Sequence, residues 1–230
     1  MPSVSGYDSL GEIPLFKGLS QEQFARLHQH LHRKSLPPHS TFITAEQRGE
    51  VVYIILSGSA KIHLEQQDSS DVIISILGPG EIVGEMSLIN DEGHCANVTT
   101  LEQSNLLWID RSAFQESLRT IPALSNNLSA IMAQRLREAN DQIHSLAKMD
   151  TECRVARQIV RFAERYGKNV GDGILIPVRL TQTDFAGFVG ASRERINQVI
   201  VSYKERGYIS VDRNYHIMVH NLKALINRCQ

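Results

Sequence analysis

The 230-residue chain is 42% hydrophobic and 21% charged, with a formal net charge of −1, the balance of a globular protein with room for two domains and sizeable cores. No stretch approaches the roughly 20 apolar residues of a membrane span, and the opening MPSVSGYDSLGEIP has neither the basic start nor the apolar run of an export signal, so a cytoplasmic protein without membrane contact is expected. Three cysteines, Cys95, Cys153 and Cys229, odd in number and far apart along the chain, argue against a disulfide framework or a zinc site.

Residues 8–35 read as helical, with Ser20 and Gln23 as a capping box for a helix reaching about Arg33. His28 and His32 then fall four apart on that helix, too few donors for a closed metal site, and are expected to face solvent. From Ser40 to Asp110 the texture changes. TFIT, VVYIIL, SAKIHL, VIISIL, ANVTTL and NLLWID are β-branched and aromatic runs separated by glycine- and polar-rich turns, the spacing of an antiparallel sandwich or barrel. One interruption, GPGEIVGEMSLI over residues 78–89, places Gly84 and Glu85 at the start of a short helical turn. Free N–H groups there suit an anion, and the Glu85 carboxylate suits a ligand hydroxyl; a solvated glycine turn is the plainer alternative.

Residues 112–120 form a short helix, and Pro122 sits well for the first position of a long one. Along it Leu128, Ile131, Met132, Leu136, Ala139, Ile143 and Leu146 make a narrow stripe at coiled-coil spacing, suited to pairing with a second copy of the same helix or, alternatively, to packing on the β domain. A further helix over about Asp150–Tyr166 leads to the strand ILIPVRL. Thr181 and Asp184 then form a capping box, Gly190 ends one helix, and Ser192 caps the next, which runs to about Arg206 before Gly207. Ile196, Val199, Ile200 and Tyr203 form the buried stripe of this second helix, leaving Arg193, Glu194, Asn197 and Gln198 outward. That is a helix-turn-helix able to read a major groove, or a plain helical hairpin. YISV and HIMVH around Asp212-Arg213-Asn214-Tyr215 add a hairpin, the wing of a winged DNA-binding domain. Charge follows this division. Residues 150–230 hold 13 basic and 8 acidic residues, net +5, and residues 1–149 hold 11 and 17, net −6, the asymmetry expected if the C-terminal part meets nucleic acid.

In this order, GPGEIVGE (78–85), MAQRLREANDQI (132–143) and VGASRERINQVI (189–200) resemble the CRP/FNR family of bacterial transcription regulators. The resemblance runs from about Leu15 to His220. It implies an α+β chain with a cyclic-nucleotide-binding-like β-roll over residues 1–121, a dimerisation helix over 122–149 and a winged helix-turn-helix over 150–230. The implied partners are double-stranded DNA, a second copy and RNA polymerase. By resemblance the DNA-binding residues are Thr181, Ser192, Arg193, Glu194, Arg195, Asn197 and Gln198. Arg193 suits guanine O6 and N7, and Glu194 suits cytosine N4. Gln198, where relatives of the cAMP receptor protein carry a second arginine, suits adenine, so a related but altered half-site is expected.

The effector pocket implied in the same way comprises Gly84, Glu85, Met86, Ser87, His94, Cys95, Ala139 and Asn140. The family's phosphate-binding Arg-Ser-Ala string falls on His94-Cys95-Ala96, and the base-contacting Thr-Ser pair on Ala139-Asn140. Histidine cannot supply the fixed charge or planar fork of the arginine, so cAMP is expected to bind weakly or not at all. The expected regulator is constitutive or tuned by another small molecule. The alternatives are a regulator responsive to cAMP or another cyclic nucleotide, and a ligand-binding or protein-interaction module that does not read DNA. His94-Cys95 as a redox or metal point competes with two ordinary strand residues. An FNR-type iron–sulfur cluster lacks its N-terminal cysteines. No P-loop, nucleophile–base pair or metal-ligand spacing marks an enzyme.

Overall fold

The computed structural model describes residues 10–66, 71–90, 92–171 and 173–229. Two compact units emerge. One comprises the chain up to Ile62 with Ile76–Ala139, the other His63–Ser75 with Asn140–Gln230.

The N-terminal part of the chain, as far as Thr120, is built on antiparallel β structure. A 3-10 turn at Pro14–Phe16 and helix α1 (Gln21–His28) precede strands β1 (His32–Leu36), β2 (Thr41–Ile43), β3 (Val51–Ser57), β4 (Ala60–Glu65), β5 (Asp71–Leu77) and β6 (Ile82–Val83). Helix α2 (Glu85–Asn90), strands β7 (Asn97–Thr100) and β8 (Ser104–Asp110) and helix α3 (Arg111–Thr120) follow. The strands form two four-stranded sheets, ordered β1-β8-β3-β6 and β2-β7-β4-β5. The apolar run of β3 is continuous because the strand is covered on both faces. Val52 and Ile54 join Leu107 and Ile109 of β8 in a core with Phe24, Phe114 and Leu124, while Ile55 and Leu106 belong to a second core with Ile43, Leu77, Val83 and Val98. Register supports this, since Val52 pairs with Ile109, Ile54 with Leu107 and Ile55 with Leu106.

The N-terminal expectation needs correction. The Ser20–Gln23 capping box forms, but α1 ends at His28, and His32 lies on β1, its ring 4.4 Å from that of Trp108. The two histidines therefore share no helix. HRKSL was missed as a strand because, among the described residues, it pairs only with β8 and is largely exposed, so its sequence carries no alternation.

Helix α4 (Pro122–Lys148) is a single element of 27 residues. In the second unit come α5 (Thr151–Tyr166), β9 (Lys168–Val170), β10 (Gly173–Ile176), α6 (Gln182–Val189), α7 (Arg193–Glu205), β11 (Ile209–Val211), β12 (Ile217–Val219) and α8 (Leu222–Arg228). The hairpin β11–β12 extends through β10 to β9 in one antiparallel sheet. The expected strand ILIPVRL ends at Ile176, before Pro177, whose missing N–H cannot continue the ladder.

Candidate functional site

Helices α6 and α7 form from purely local signals. The Thr181 hydroxyl accepts from the Asp184 N–H at 3.2 Å, and the Asp184 carboxylate accepts from the Thr181 N–H at 3.0 Å. Gly190 ends α6 at φ +67°, a left-handed conformation that side chains rarely adopt, and a Cβ there would also stand 3.3 Å from Leu146. Ser192 caps α7 by accepting from the Arg195 N–H at 3.2 Å. Ile196, Val199, Ile200 and Tyr203 are buried, and the Tyr203 hydroxyl donates to the Glu152 carbonyl at 2.8 Å.

The seven residues assigned to DNA reading divide by what they already hold. Thr181 is half-buried and engaged in its cap, while Ser192, Arg193, Glu194, Arg195, Asn197 and Gln198 are exposed. Asn197 accepts from Gln182 at 2.7 Å, Gln198 accepts from Arg195 at 3.2 Å, and Arg195 also meets Glu152 at 3.3 Å. Among the described residues, Arg193 and Glu194 have no hydrogen-bonding or ion-pair partner. At the N-terminal end of α7 these two can meet base edges without first breaking an internal contact.

A second concave site lies within the first unit. A cavity of about 60 Å³ is lined by Gly84, Glu85, Met86, Ser87, His94 and Cys95, with Arg135 among the remaining wall residues. Gly84 is at φ +92°, and a Cβ there would fall 2.8 Å from the Val51 carbonyl oxygen, so the backbone itself demands glycine. Ser87 donates to the Gly84 carbonyl at 3.0 Å, and its oxygen lies 3.1 Å from His94 Nδ1. With the hydroxyl proton so used, His94 is the donor in that second contact, carrying its proton on Nδ1. Burial, followed by the Arg111 charge, holds the His94 pKa below the ordinary histidine value. The ring is therefore neutral near pH 7.

Glu85 is 1% exposed. One carboxylate oxygen accepts from Arg135 at 2.6 Å, and the same guanidinium donates to the Ile82 carbonyl. The other oxygen, Oε2, is buried without a hydrogen-bond partner. Burial pushes the Glu85 pKa up, against the opposing pull of Arg135. Arg135 is the residue that sequence reasoning missed here. Ala139 and Asn140, assigned to the pocket by resemblance, do not line it and are exposed, one and nearly one and a half turns beyond Arg135 on the same helix.

The stripe on α4 also divides. Leu128 is 5% exposed in the β-unit core, and Ile131 and Met132 pack against that core. Leu136 (64%), Ile143 (65%) and Leu146 (47%) are exposed, as is Ala139. Packing on the β domain thus accounts for the N-terminal half of the helix, which covers its own β-roll. The C-terminal half presents apolar side chains to solvent.

A family model described as a cyclic nucleotide-binding domain matches residues 33–120, and one described as a Crp-like helix-turn-helix domain matches residues 153–228. The CRP-like cAMP-activated global transcriptional regulator of Mycobacterium tuberculosis (strain H37Rv) is 30% identical over 221 residues, covering 96% of this chain and 98% of that protein. The chain belongs to the CRP/FNR family of transcription regulators. Another CRP/FNR relative, the cyclic AMP receptor protein of Thermus thermophilus, is 28% identical over 85% of this chain and 88% of its own. The structure of FixK2 from Bradyrhizobium japonicum shares the fold, with a TM-score of 0.77 at 18% identity, over 87% of this chain and 98% of that one.

Within this CRP/FNR chain the Crp-like match reaches past the wing to α8, an element with no counterpart in the sequence reading. Its short NLKALINR segment carries one visible signal, Asn221, whose side chain caps it by accepting from the Ala224 N–H at 2.9 Å. No helix among the described residues is long and apolar enough to cross a membrane.

Proposed function

We propose that this CRP/FNR protein is a homodimer that reads a pseudo-palindromic operator through α7, and that it is constitutive or answers a small molecule other than cAMP. The carrying observation is the exposed, unengaged pair Arg193 and Glu194 at the start of α7. In the family's docking geometry two such helices enter successive major grooves, about 34 Å apart. Ser192 and the first N–H groups of α7 suit backbone phosphate. RNA polymerase is the proposed partner at the promoter, and the cytoplasm the proposed location. Gel-shift titration on a selected operator is the test. Binding should weaken steeply with salt, and Arg193→Ala should cost about 1–3 kcal/mol with preference relaxed at one guanine. Absence of a shift on any selected operator would instead favour an interaction module. The same selection with Gln198→Arg should change the base preferred at one position, because glutamine favours adenine and arginine guanine.

Three features support an effector other than cAMP. His94 is neutral where the family places an arginine. Glu85 is already held by Arg135. The cavity, at about 60 Å³, is well under the roughly 300–1,000 Å³ of typical ligand pockets. A cAMP-responsive regulator is the second reading, favoured by the relatives named as cAMP-activated and by Glu85 lining the cavity. Isothermal titration decides between them. No saturable heat is expected with cAMP up to millimolar concentration, whereas a micromolar dissociation constant would establish the second reading.

A further inference from the structure

In the second unit the last helix ends against the first turn of α5. Arg228 donates to Asp150 Oδ2 and to Glu152 Oε2, each at 3.0 Å, fastening α8 to the acidic start of α5. The next residue brings a thiol to the same place. Cys229 Sγ donates to the Leu225 carbonyl at 3.1 Å and lies 3.8 Å from the Cys153 carbonyl oxygen. Burial first, and then the neighbouring Cys153, raise the pKa of its thiol. Cys153 is buried and Cys229 partly exposed, while the third cysteine, exposed Cys95, belongs to the other unit. Two thiols that the sequence holds far apart are therefore neighbours, one of them open to solvent.

We infer that Cys153 and Cys229 form a reversible dithiol–disulfide couple, a modification site whose oxidant is a hydroperoxide. The accessible Cys229 thiolate attacks one peroxide oxygen. The O–O bond breaks, the departing hydroxide takes a proton to become water, and Cys229 becomes a sulfenic acid. The Cys153 sulfur then attacks the sulfenic sulfur, forming the S–S bond, while the sulfenic hydroxyl leaves with the Cys153 proton as a second water. Two thiols have lost two hydrogens, and one hydrogen peroxide has been reduced to two waters. A dithiol reductant reverses the reaction by exchange. Burial pushes the Cys229 thiol up to about 11, so little thiolate exists near neutrality and the couple responds to sustained rather than trace oxidant. The product staples α8 to the start of α5, where Arg228 already clamps it.

The test uses full-length protein carrying Cys95→Ser, which leaves only these two thiols. After excess hydrogen peroxide the alkylatable thiols should fall from two to none, and the monomer mass by about 2 Da. A cross-linked peptide should join Cys153 to Cys229, and dithiothreitol should restore both thiols. Adding Cys229→Ser should abolish the cross-link, and adding Cys153→Ala, a second route should either variant fold poorly, should do the same. The inference is overturned if both thiols stay alkylatable, if only oxygen adducts accumulate, or if the disulfide joins two chains.

Discussion

Arg135→Ala is expected to destabilise the β-roll unit by about 3–5 kcal/mol, the cost of leaving a buried charge without its partner. The Glu85 side chain is 2% exposed and that of Arg135 22%, so water cannot readily replace the guanidinium. One Glu85 oxygen already lacks a partner, and the substitution orphans the other as well as the Ile82 carbonyl. The loss has a definite pH sign. Burial already holds the folded-state pKa of Glu85 above the ordinary carboxylate value, with Arg135 restraining the rise. A raised folded pKa means that the native state binds more protons than the unfolded one, so stability falls as pH rises through that window. Removing Arg135 carries the folded pKa higher, and the window extends upward. Urea unfolding should therefore show the variant nearest to wild type in acid and furthest from it near neutral pH. Pairing Arg135→Met with Glu85→Leu should recover much of the loss, since no charge is then buried. A pH-independent loss below about 1 kcal/mol would show that the pair is solvated.

Charging the exposed half of the α4 stripe should separate the proposed dimer. Leu136 and Ile143 are seven residues apart and each nearly two-thirds exposed. Leu136→Glu with Ile143→Glu would bring carboxylates from two copies against one another in a dry seam. Like charges at an interface cost several kcal/mol, so the dimer dissociation constant should rise at least roughly a hundredfold. Fold should be retained, because the side chains that join the β-roll core, Leu128, Ile131 and Met132, are untouched. Light scattering should give twice the 25.8 kDa chain mass for wild type and one chain for the variant. Operator affinity should fall by about 10²–10⁴, as two linked half-site contacts become separate ones. Wild type at a single chain mass, or a double variant still dimeric, would remove this stripe from the interface.

What could be read from the sequence was mostly local. The caps at Thr181 and Ser192 act over three residues, and the stripe of α7 over a few turns, so the spacing of letters carries them directly. β1 and α8 escaped because HRKSL is a polar edge and NLKALINR is short, and tertiary partners decide both. The candidate cavity was half legible. Gly84 to Ser87 are contiguous, but Arg135 stands 50 residues from Glu85 on a helix whose apolar stripe had already accounted for it. The thiol pair was invisible for the same reason, as Cys153 and Cys229 meet only after α8 folds back onto α5. The division of the α4 stripe between core and solvent could not be resolved by periodicity, which reports a face but not what covers it.

The double coverage of β3 and β8 has a consequence for how the first unit opens. Successive side chains of these strands enter two different cores, so neither strand can detach from one without breaking the other. Their amide protons should exchange only through collective unfolding, while those of peripheral β1 exchange through small local excursions. The strand β6, which pairs with β3 and leads into Gly84, ties one wall of the cavity to this last-opening element. Conformational freedom around any bound molecule must then come from the other walls, the turn carrying His94 and the helix carrying Arg135.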